Sequence, residues 1–267
     1  DRVKESAFIA NLFALAAGYV ARLDAESGDR QAAAAAVAAN RRYSDLAKRD
    51  LPPGSFGHEI YGEFLSRYGF PTTGFGYGVY APLYAEGDFD GVRKEARASA
   101  QRLEDIAART AGEKDVRDRA LEMAWRTAAD ASYALHDYAS ADAEIKRALE
   151  LRKRLPPRNI GEERDSGIQA ALAAMIAARS GRNDDARKLV DPVLELQRRL
   201  YARADNEDLT QRIEFAQALY ASALAGSARK SAELKQAASL IDALPPQMRN
   251  LISVRRLGSE IAEAKAS

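Results

Sequence analysis

Three neighbouring residues, His58, Glu59 and Tyr61, have side chains whose types could transfer protons. An imidazole beside a carboxylate can act as a general acid or base when a substrate group lies within hydrogen-bonding reach. No nucleophile in a recognisable context accompanies them, and the second histidine, His136, falls in a tight turn between helices. We therefore interpret His58 as a surface or capping residue, assign a turn role to His136, and predict that the chain is not an enzyme.

The segment GFGYG at 74–78 has the glycine content of a phosphate-binding loop. Such a loop follows a strand, and it continues into Lys with Ser or Thr or into a further glycine at the dinucleotide spacing. The sequence has neither context, so helix packing is the favoured role of these glycines. No nucleotide or other cofactor is predicted.

The charged clusters fall where helix ends favour them. Acidic residues at 162–165 and 184–185 lie at helix starts, and basic residues at 152–154 and 198–199 lie at helix ends. The helix dipole stabilises anions at its start and cations at its end. These clusters therefore need no metal site, and the interspersed Asp and Glu residues argue against a nucleic-acid-binding stripe.

The composition excludes several classes of partner. The chain has 267 residues, of which 46% are hydrophobic and 30% are charged, so it can bury a stable core. Its 40 basic and 39 acidic residues give a net charge of +1, which supplies no long-range attraction for nucleic acid. No apolar run approaches the roughly 20 residues that span a bilayer, so no direct membrane insertion is predicted. The absence of Cys excludes disulfides and thiolate sites.

The first residue is Asp1 rather than Met, so we expect a fragment or a processed product of a longer protein. The Ala- and Arg-rich composition suggests a bacterial source. A cytoplasmic location is favoured, and a periplasmic one is left open, because a chain without Cys folds in either compartment. The oligomeric state is left open as well.

Almost the whole chain is predicted to be helical, because apolar residues recur at spacings of three and four. Tight turns separated by 59, 49, 45 and 45 residues break this pattern. They are Gly28-Asp29, Gly87-Asp88, His136-Asp137, Gly181-Arg182 and Gly226-Ser227. Longer breaks, many of them with Pro, lie between these turns, so each period contains one pair of helices. A period of paired helices is typical of an α-solenoid, in which each pair buries its apolar face against its neighbours.

Residues 122–205 contain two units with the same internal spacing. The first has Trp125, Ala128, Ala129, the turn at His136-Asp137-Tyr138, Ala141, Ile145 and Ala148, and the second has Ala170, Ala173, Ala174, the turn at Gly181-Arg182, Ala186, Val190 and Val193. This pattern resembles two tetratricopeptide repeats with longer helices and linkers than the usual unit. Small residues at 129, 141, 174 and 186 allow close helix approach, and bulky side chains fill the space between pairs.

The resemblance implies an all-α fold, a right-handed superhelix of about five antiparallel helix pairs in a single domain over residues 1–267. Pairs are predicted at about 5–50, 73–111, 115–155, 161–205 and 208–243, with an extra helix at about 56–68 and a capping helix at about 246–264. The apolar residues predicted to cover the last pair are Leu251, Ile252, Leu257 and Ile261. Ser132 and Ala170 depart from the family pattern, and Pro192 should kink the second helix or restart it with Asp191 as its cap.

An unusual stretch, GFPTTGFGYGVYAPLY at 69–84, is predicted to form the first helix of the second pair, over about 73–86. Tyr77, Tyr80 and Tyr84 then share one face, and a stripe of Gly and Ala lies on another. Pro82 would strain a helix against the carbonyl of residue 78. Buried packing is the favoured role of the tyrosines, and a peptide-binding role is left open.

The family binds proteins or peptides in a groove lined by first helices, so the resemblance implies a protein- or peptide-binding scaffold. When the family's groove positions on first helices are transferred to this sequence, the candidate binding residues, in addition to Tyr77, Tyr80 and Tyr84, are Arg126, Asp130, Tyr133, Met175 and Arg179. Arg126 and Arg179 could clamp a carboxylate of an acidic partner. The chain would then be the interaction part of a larger bacterial signalling protein. The alternative is a regulatory domain that senses a small ligand or peptide and controls an attached effector.

Overall fold

The computed structural model describes residues 7–49, 51–60, 80–203 and 208–266. These residues form 13 helices and no strand, which confirms the all-α prediction for the described part of the chain. The helices are α1 Ala7–Ser27, α2 Arg30–Lys48, α3 Phe56–Ile60, α4 Ala81–Ala85, α5 Phe89–Asp105, α6 Ala111–Ala134, α7 Tyr138–Lys153, α8 Ile160–Arg179, α9 Asn183–Arg203, α10 Leu209–Leu224, α11 Lys230–Asp242, α12 Pro246–Arg249 and α13 Ile252–Ala266. Most of the stretch at 69–84 and the later part of the predicted helix at 56–68 lie outside the described residues.

The chain divides into two compact units. Unit 1 comprises Asp1–Asp137 and Ala143–Pro156, and unit 2 comprises Tyr138–Asp142 and Pro157–Ser267. In unit 1, α1 packs against α2, α4 packs on both, and α5 packs against α4 and α6. In unit 2, α10 packs against α8, α9, α11 and α13. The single domain and the superhelix inferred from the sequence stay predictions.

The five tight turns share one backbone geometry. Their positive φ angles are 81° at Gly28, 74° at Gly87, 58° at His136, 76° at Gly181 and 79° at Gly226. In each turn the N–H of this residue donates to the carbonyl three residues back. The next N–H donates to the carbonyl five residues behind it, and all ten N···O distances are 2.9–3.3 Å. This is the Schellman end of a helix, and it confirms the turn role predicted for His136.

Successive turns are joined by side chains at related positions. In unit 1, Arg30 pairs with Glu86 at 2.7 Å, and Arg93 donates to Asp137 at 2.9 Å. In unit 2, Arg182 pairs with Asp142, and Arg187 donates to the carbonyl of Ala225 at 3.0 Å. Arg93, Asp142 and Arg187 each lie six residues after the positive-φ residue of their turn. Each unit therefore repeats the link from one helix pair to the next turn.

First and second helices of the pairs differ in burial. Every residue of α6 from Ala120 to Tyr133 is buried. In contrast, α5 buries one face and exposes the other; its buried residues are Val92, Ala96, Ser99, Ala100 and Leu103. The small residues predicted at close helix approaches, at 129, 141, 174 and 186, are fully buried, as is the single tryptophan apart from a small exposed edge. The sequence therefore identified the core positions of these helices.

Pro192 does not end its helix. Helix α9 runs through it from Asn183 to Arg203, so of the two predicted alternatives the restart with Asp191 as its cap is wrong, and the kink stays a prediction. Proline removes the hydrogen bond to the carbonyl of Lys188. Lys188, Asp191 and Pro192 lie on the exposed side of α9, where water can hydrogen-bond that carbonyl. Pro82, in turn, lies in the first turn of α4, where a missing N–H is not needed by the helix.

The C-terminal helix covers the last pair in unit 2. Helix α13 packs on α11 and α10, as the sequence predicts for a capping helix. Its buried residues are Val254, Leu257, Ile261 and Ala264. Leu251 and Ile252 are only half-buried, so Val254 takes the place that the sequence assigned to them. Among the helices that the structure describes, not one combines the length and apolar character that a bilayer crossing needs.

Candidate functional site

Six of the nominated groove residues lie in the interior. Each has at most 5% of its surface exposed: Tyr80, Tyr84, Arg126, Asp130, Tyr133 and Met175. Tyr77 lies outside the described residues. Arg179 is exposed, and its Nη2 donates to the hydroxyl of Tyr220 at 2.9 Å. Of the residues nominated from the sequence, Arg179 is therefore the one that the described structure leaves within reach of a partner.

Tyr80 and Tyr84 belong to the core of unit 1. The ring of Tyr84 meets Phe89 edge-on, with ring centroids 5.6 Å apart and an interplanar angle of 86°. Tyr84 lies in α4 and Tyr80 directly precedes it, and α4 packs against α1 and α2. The sequence left open whether these tyrosines are buried in the core or line a peptide-binding groove. Tyr80 and Tyr84 expose almost no surface to a partner, so both belong to the core.

His58 and Glu59 form a local hydrogen-bonded pair. Glu59 Oε1 lies 3.1 Å from His58 Nδ1 and accepts from the Gly54 N–H at 3.3 Å. The pair borders a cavity of about 580 Å³ that Lys48, Arg102 and Asp105 also line. The carboxylate of Glu59 thus fastens the turn before α3, and the His58 side chain, 29% exposed, lies beside it. In the described ranges, no group of three or more His, Asp and Glu residues could hold a metal ion.

A cationic cavity in unit 2 is the feature that sequence reasoning missed. It has a volume of about 510 Å³ and is lined by Lys230, Ser231, Leu234, Lys235, Ala264 and Lys265. An adjoining cavity of about 270 Å³ shares Lys230 and Ala264 with it, and Arg179 and Glu263 are also in its lining. We call the two together the α11–α13 cavity. Its walls carry four cationic side chains and one carboxylate.

The lysines of the α11–α13 cavity are not neutralised within the described structure. No carboxylate of the described residues lies within ion-pair distance of the ammonium groups of Lys230, Lys235 and Lys265. Glu233, the buried carboxylate on the same helix, is directed to Arg198 at 4.0 Å instead. The apolar side chains of Leu234 and Ala264 complete the wall. The arrangement can therefore bind a negatively charged group that also carries an apolar part.

The N-terminus of α11 adds positive charge to the α11–α13 cavity. Five other helices begin with a side chain that accepts from a first-turn N–H: Asp29 of α2, Asp88 of α5, Thr110 of α6, Asn159 of α8 and Asp208 of α10. Helix α11 follows Arg229, which makes no such bond, and its first residue is Lys230. Arg229 and Lys230, two cations at the positive end of the helix dipole, oppose its preference, whereas Glu233 in the same first turn agrees with it. The mismatch at Arg229 and Lys230 is the signal of this site in the sequence.

A buried carboxylate also organises unit 2. Glu214 of α10 accepts from Nε and Nη2 of Arg164 at 3.1 and 3.0 Å, and Gln197 lies 3.4 Å from it. The amide of Gln211 donates to Gln197 in turn. Burial raises the pKa of Glu214, and the hydrogen bonds from Arg164 and Gln197 offset this rise only in part. The network ties α8, α9 and α10 together, and we assign it a structural role.

Comparison of the chain with models of protein families, with curated proteins and with solved structures found no match in any of the three. The tetratricopeptide resemblance therefore rests on the residues and their spacing.

Proposed function

We propose that this chain is a protein- or peptide-binding helical scaffold of the tetratricopeptide type, whose pairs continue as a right-handed superhelix. Support comes from the shared geometry of five turns and from the links between successive turns within each unit. Repeats that contact their neighbours in the same way generate an extended binding surface. The scaffold serves as the interaction part of a larger protein.

The α11–α13 cavity carries the proposal. Its three lysines lack carboxylate partners among the described residues, and Leu234 and Ala264 offer apolar surface beside them. A peptide segment with Asp or Glu next to an aliphatic residue matches both features. Its carboxylates would meet the ammonium groups and the helix start, and its aliphatic side chain would lie on the apolar wall. The partner is therefore an acidic protein segment.

Arg179, an exposed residue whose guanidinium donates to Tyr220, extends this site. Arg179 was nominated together with Arg126 as a carboxylate clamp, but Arg126 is buried in unit 1, whereas Arg179 lines the α11–α13 cavity in unit 2. The clamp is therefore reassigned to Arg179 with Lys230, which line the same adjoining cavity. Glu263 on that wall restricts where a second carboxylate can bind, because like charges repel.

A second candidate is a sensing domain for a small organic anion. The volume of about 510 Å³ falls within the range of sites that hold small molecules. A multiply charged carboxylate or phosphate would use the same lysines and would leave the rest of the surface free for an effector. The two candidates differ in what fills the cavity, and one binding experiment separates them.

The test measures fluorescence anisotropy of a labelled peptide of about ten residues containing Glu, Asp and Leu, at about 50 and 200 mM salt. A variant with Lys230→Gln and Lys235→Gln should bind at least about tenfold more weakly than the wild type. The matched control, Lys114→Gln with Lys188→Gln, removes two exposed lysines outside the cavity and should bind like the wild type.

Equal weakening by both double variants, or no binding at the lower salt concentration, would reject the acidic-peptide proposal. Titration with citrate and with inorganic phosphate forms the second arm. Saturable binding of either anion that depends on Lys230 and Lys235, without binding of the peptide, would favour the sensing domain instead.

A further inference from the structure

Helix α1 exposes five large apolar side chains and buries several of its alanines. Its buried residues include Ala10, Ala14, Ala21 and Ala25, and α1 packs closely against α2. The side-chain amide of Asn40 on α2 donates to the carbonyl of Ala14 at 2.6 Å, which shows how near the two backbones lie. The outward residues are Leu12, Phe13, Tyr19, Val20 and Leu23, each exposed by 37–64%. This is the reverse of the usual distribution of large apolar side chains.

These five residues form one continuous face, which we call the α1 face. With Ala16 they recur at spacings of one, three and four over three turns of helix, so they share one side of α1. None of them is charged. Phe13 is stacked on Tyr43 of α2, with ring centroids 5.1 Å apart and an interplanar angle of 25°. This stacking holds one large aromatic side chain in place before any partner binds, which lowers the entropy cost of association.

The area of the α1 face matches what a dimer requires. The exposed fractions correspond to about 400–500 Å² of apolar surface, at about 150–200 Å² for a fully exposed large side chain. A standard interface buries about 800 Å² on each partner, of which roughly 60% is apolar. The α1 face alone therefore supplies about the apolar share of one such interface.

We propose that the α1 face binds the α1 face of a second copy of this chain. An uncharged apolar face requires an occupant that is also apolar and uncharged. Elsewhere in the described residues the exposed large apolar side chains are Val116, Leu135 and Ile160, which lie far apart along the chain. In a two-fold contact the same surface meets itself, and no charge is buried when α1 faces its copy. The inference concerns unit 1 and is independent of the acidic-peptide site in unit 2.

The first experiment is sedimentation velocity on the full chain from about 1 to about 100 µM, because mass action makes a dimer depend on concentration. The wild type should change from monomer to dimer within this range. The variant Leu12→Gln with Leu23→Gln should weaken dimerisation at least about tenfold, without loss of helical circular dichroism. The control variant, Val116→Gln with Ile160→Gln, should dimerise like the wild type.

A second readout uses the absence of Cys from the sequence. Ala16 lies at the middle of the α1 face and is exposed, so two copies of Ala16→Cys should cross-link on mild oxidation. Glu195→Cys, on the exposed side of α9, should not cross-link.

A wild type that stays monomeric at the highest concentration overturns the proposal, as does a dimer that Leu12→Gln with Leu23→Gln leaves unchanged. Co-sedimentation of a monomeric wild type with phosphatidylcholine vesicles would assign the α1 face to lipid and would overturn it as well.

Discussion

Unit 1 and unit 2 use the same position for opposite charges. In unit 1, Arg93 on a helix pairs with Asp137 at the next turn, and in unit 2, Asp142 on a helix pairs with Arg182 at the next turn. The backbone geometry of the turns is shared, whereas the chemistry of the link is exchanged. The turns and the small core residues therefore set the geometry of the repeat, and either order of the paired charges is compatible with it.

The two units also differ in how they treat carboxyl groups. In unit 1, hydrogen bonds from Lys94 and Arg93 lower the pKa of Asp90, which lies at the surface. In unit 2, burial raises the pKa of Glu214 despite two hydrogen bonds from Arg164. Burial would also lower the pKa of Arg164, but its bond and charge interaction with Glu214 outweigh this, so its pKa is raised and it stays charged. The titrating member of the pair is therefore Glu214.

The largest expected effect is the loss of Arg164. The substitution Arg164→Ala leaves the Glu214 carboxylate buried without its main donor and should cost about 3 kcal/mol of unfolding free energy. The matched change in unit 1, Arg97→Ala, should cost only about 1 kcal/mol, because the Arg97 side chain is 42% exposed. Urea unfolding measures both, and equal costs would remove the contrast between the units.

Adding Glu214→Gln to Arg164→Ala shows whether Arg164 stabilises the protein through its charge or through its packing. Because Glu214→Gln removes the charge that needs compensation, Arg164→Ala combined with Glu214→Gln should be less destabilised than Arg164→Ala alone. Glu144 provides the comparison in unit 1, where Ser132 donates to it at 2.7 Å beside Arg97. Because Ser132 still donates to Glu144 in Arg97→Ala, this variant should lose less unfolding free energy than Arg164→Ala. A double variant in unit 2 no better than the single one would show that Arg164 acts through packing.

The pH dependence of stability should have opposite signs at the two contrasting carboxyls. The raised pKa of Glu214 contributes stability that is present below about pH 4.5 and is lost as the pH rises through the raised value. Relative to Glu214→Gln, the wild type should therefore become less stable with rising pH. The lowered pKa of Asp90 contributes stability above about pH 3.8 that is lost as the pH falls through the lowered value. Relative to Asp90→Asn, the wild type should lose stability in acid.

The measurement for this prediction is the unfolding free energy from urea titrations at intervals between about pH 3 and pH 7. Curves for Glu214→Gln and the wild type that stay parallel would contradict the assignment of the titration to Glu214.

A smaller effect is expected at the turns. His136 in unit 1 adopts a φ of 58°, which a side chain with Cβ disfavours, so His136→Gly should stabilise the protein by about 1 kcal/mol. Gly181 in unit 2 has a φ of 76°, and an added Cβ would meet no atom within 4 Å. Gly181→Ala should therefore destabilise by about 1 kcal/mol through the backbone alone. Shifts of the unfolding midpoint in the same direction would refute the shared turn geometry.

The smallest expected effect concerns the link between turns in unit 2. Because the pair is partly exposed, Asp142→Arg or Arg182→Asp alone should cost about 0.5 kcal/mol. The double variant, which adopts the charge order of Arg93 and Asp137 in unit 1, should recover most of that loss. If the double variant shows the sum of the two single losses, the pair does not act as a link.

The turns and the helix cores could be predicted because each depends on a local requirement. A left-handed φ selects glycine, and the same spacing identified His136 where glycine is missing. Close helix approach selects alanine, and Ala129 and Ala174 are fully buried as predicted. The predicted restart at Pro192 was wrong because proline costs little on a helix face that water can reach. Tertiary packing decides which face of a helix that is.

The functional residues were harder to predict because exposure is a property of the assembled helices. Arg126 and Arg179 look alike in sequence, yet one is buried and the other lines a cavity. The three lysines of the α11–α13 cavity come from the start of one helix and the end of another, so no local pattern groups them. The mismatch of Lys230 with its helix dipole was the one available signal.

The helices, their ends and the small residues that let them approach could be read from the sequence, because these features depend on backbone dihedral angles and side-chain size over a few residues. Which polar and apolar side chains face water depends on the folded arrangement of the helices. Each face of a helix is buried or exposed according to the helices that pack on it, and those helices come from distant parts of the chain. For this reason Leu12, Phe13 and Leu23 of α1 lie outside, and Glu122, Arg126 and Asp130 of α6 lie inside.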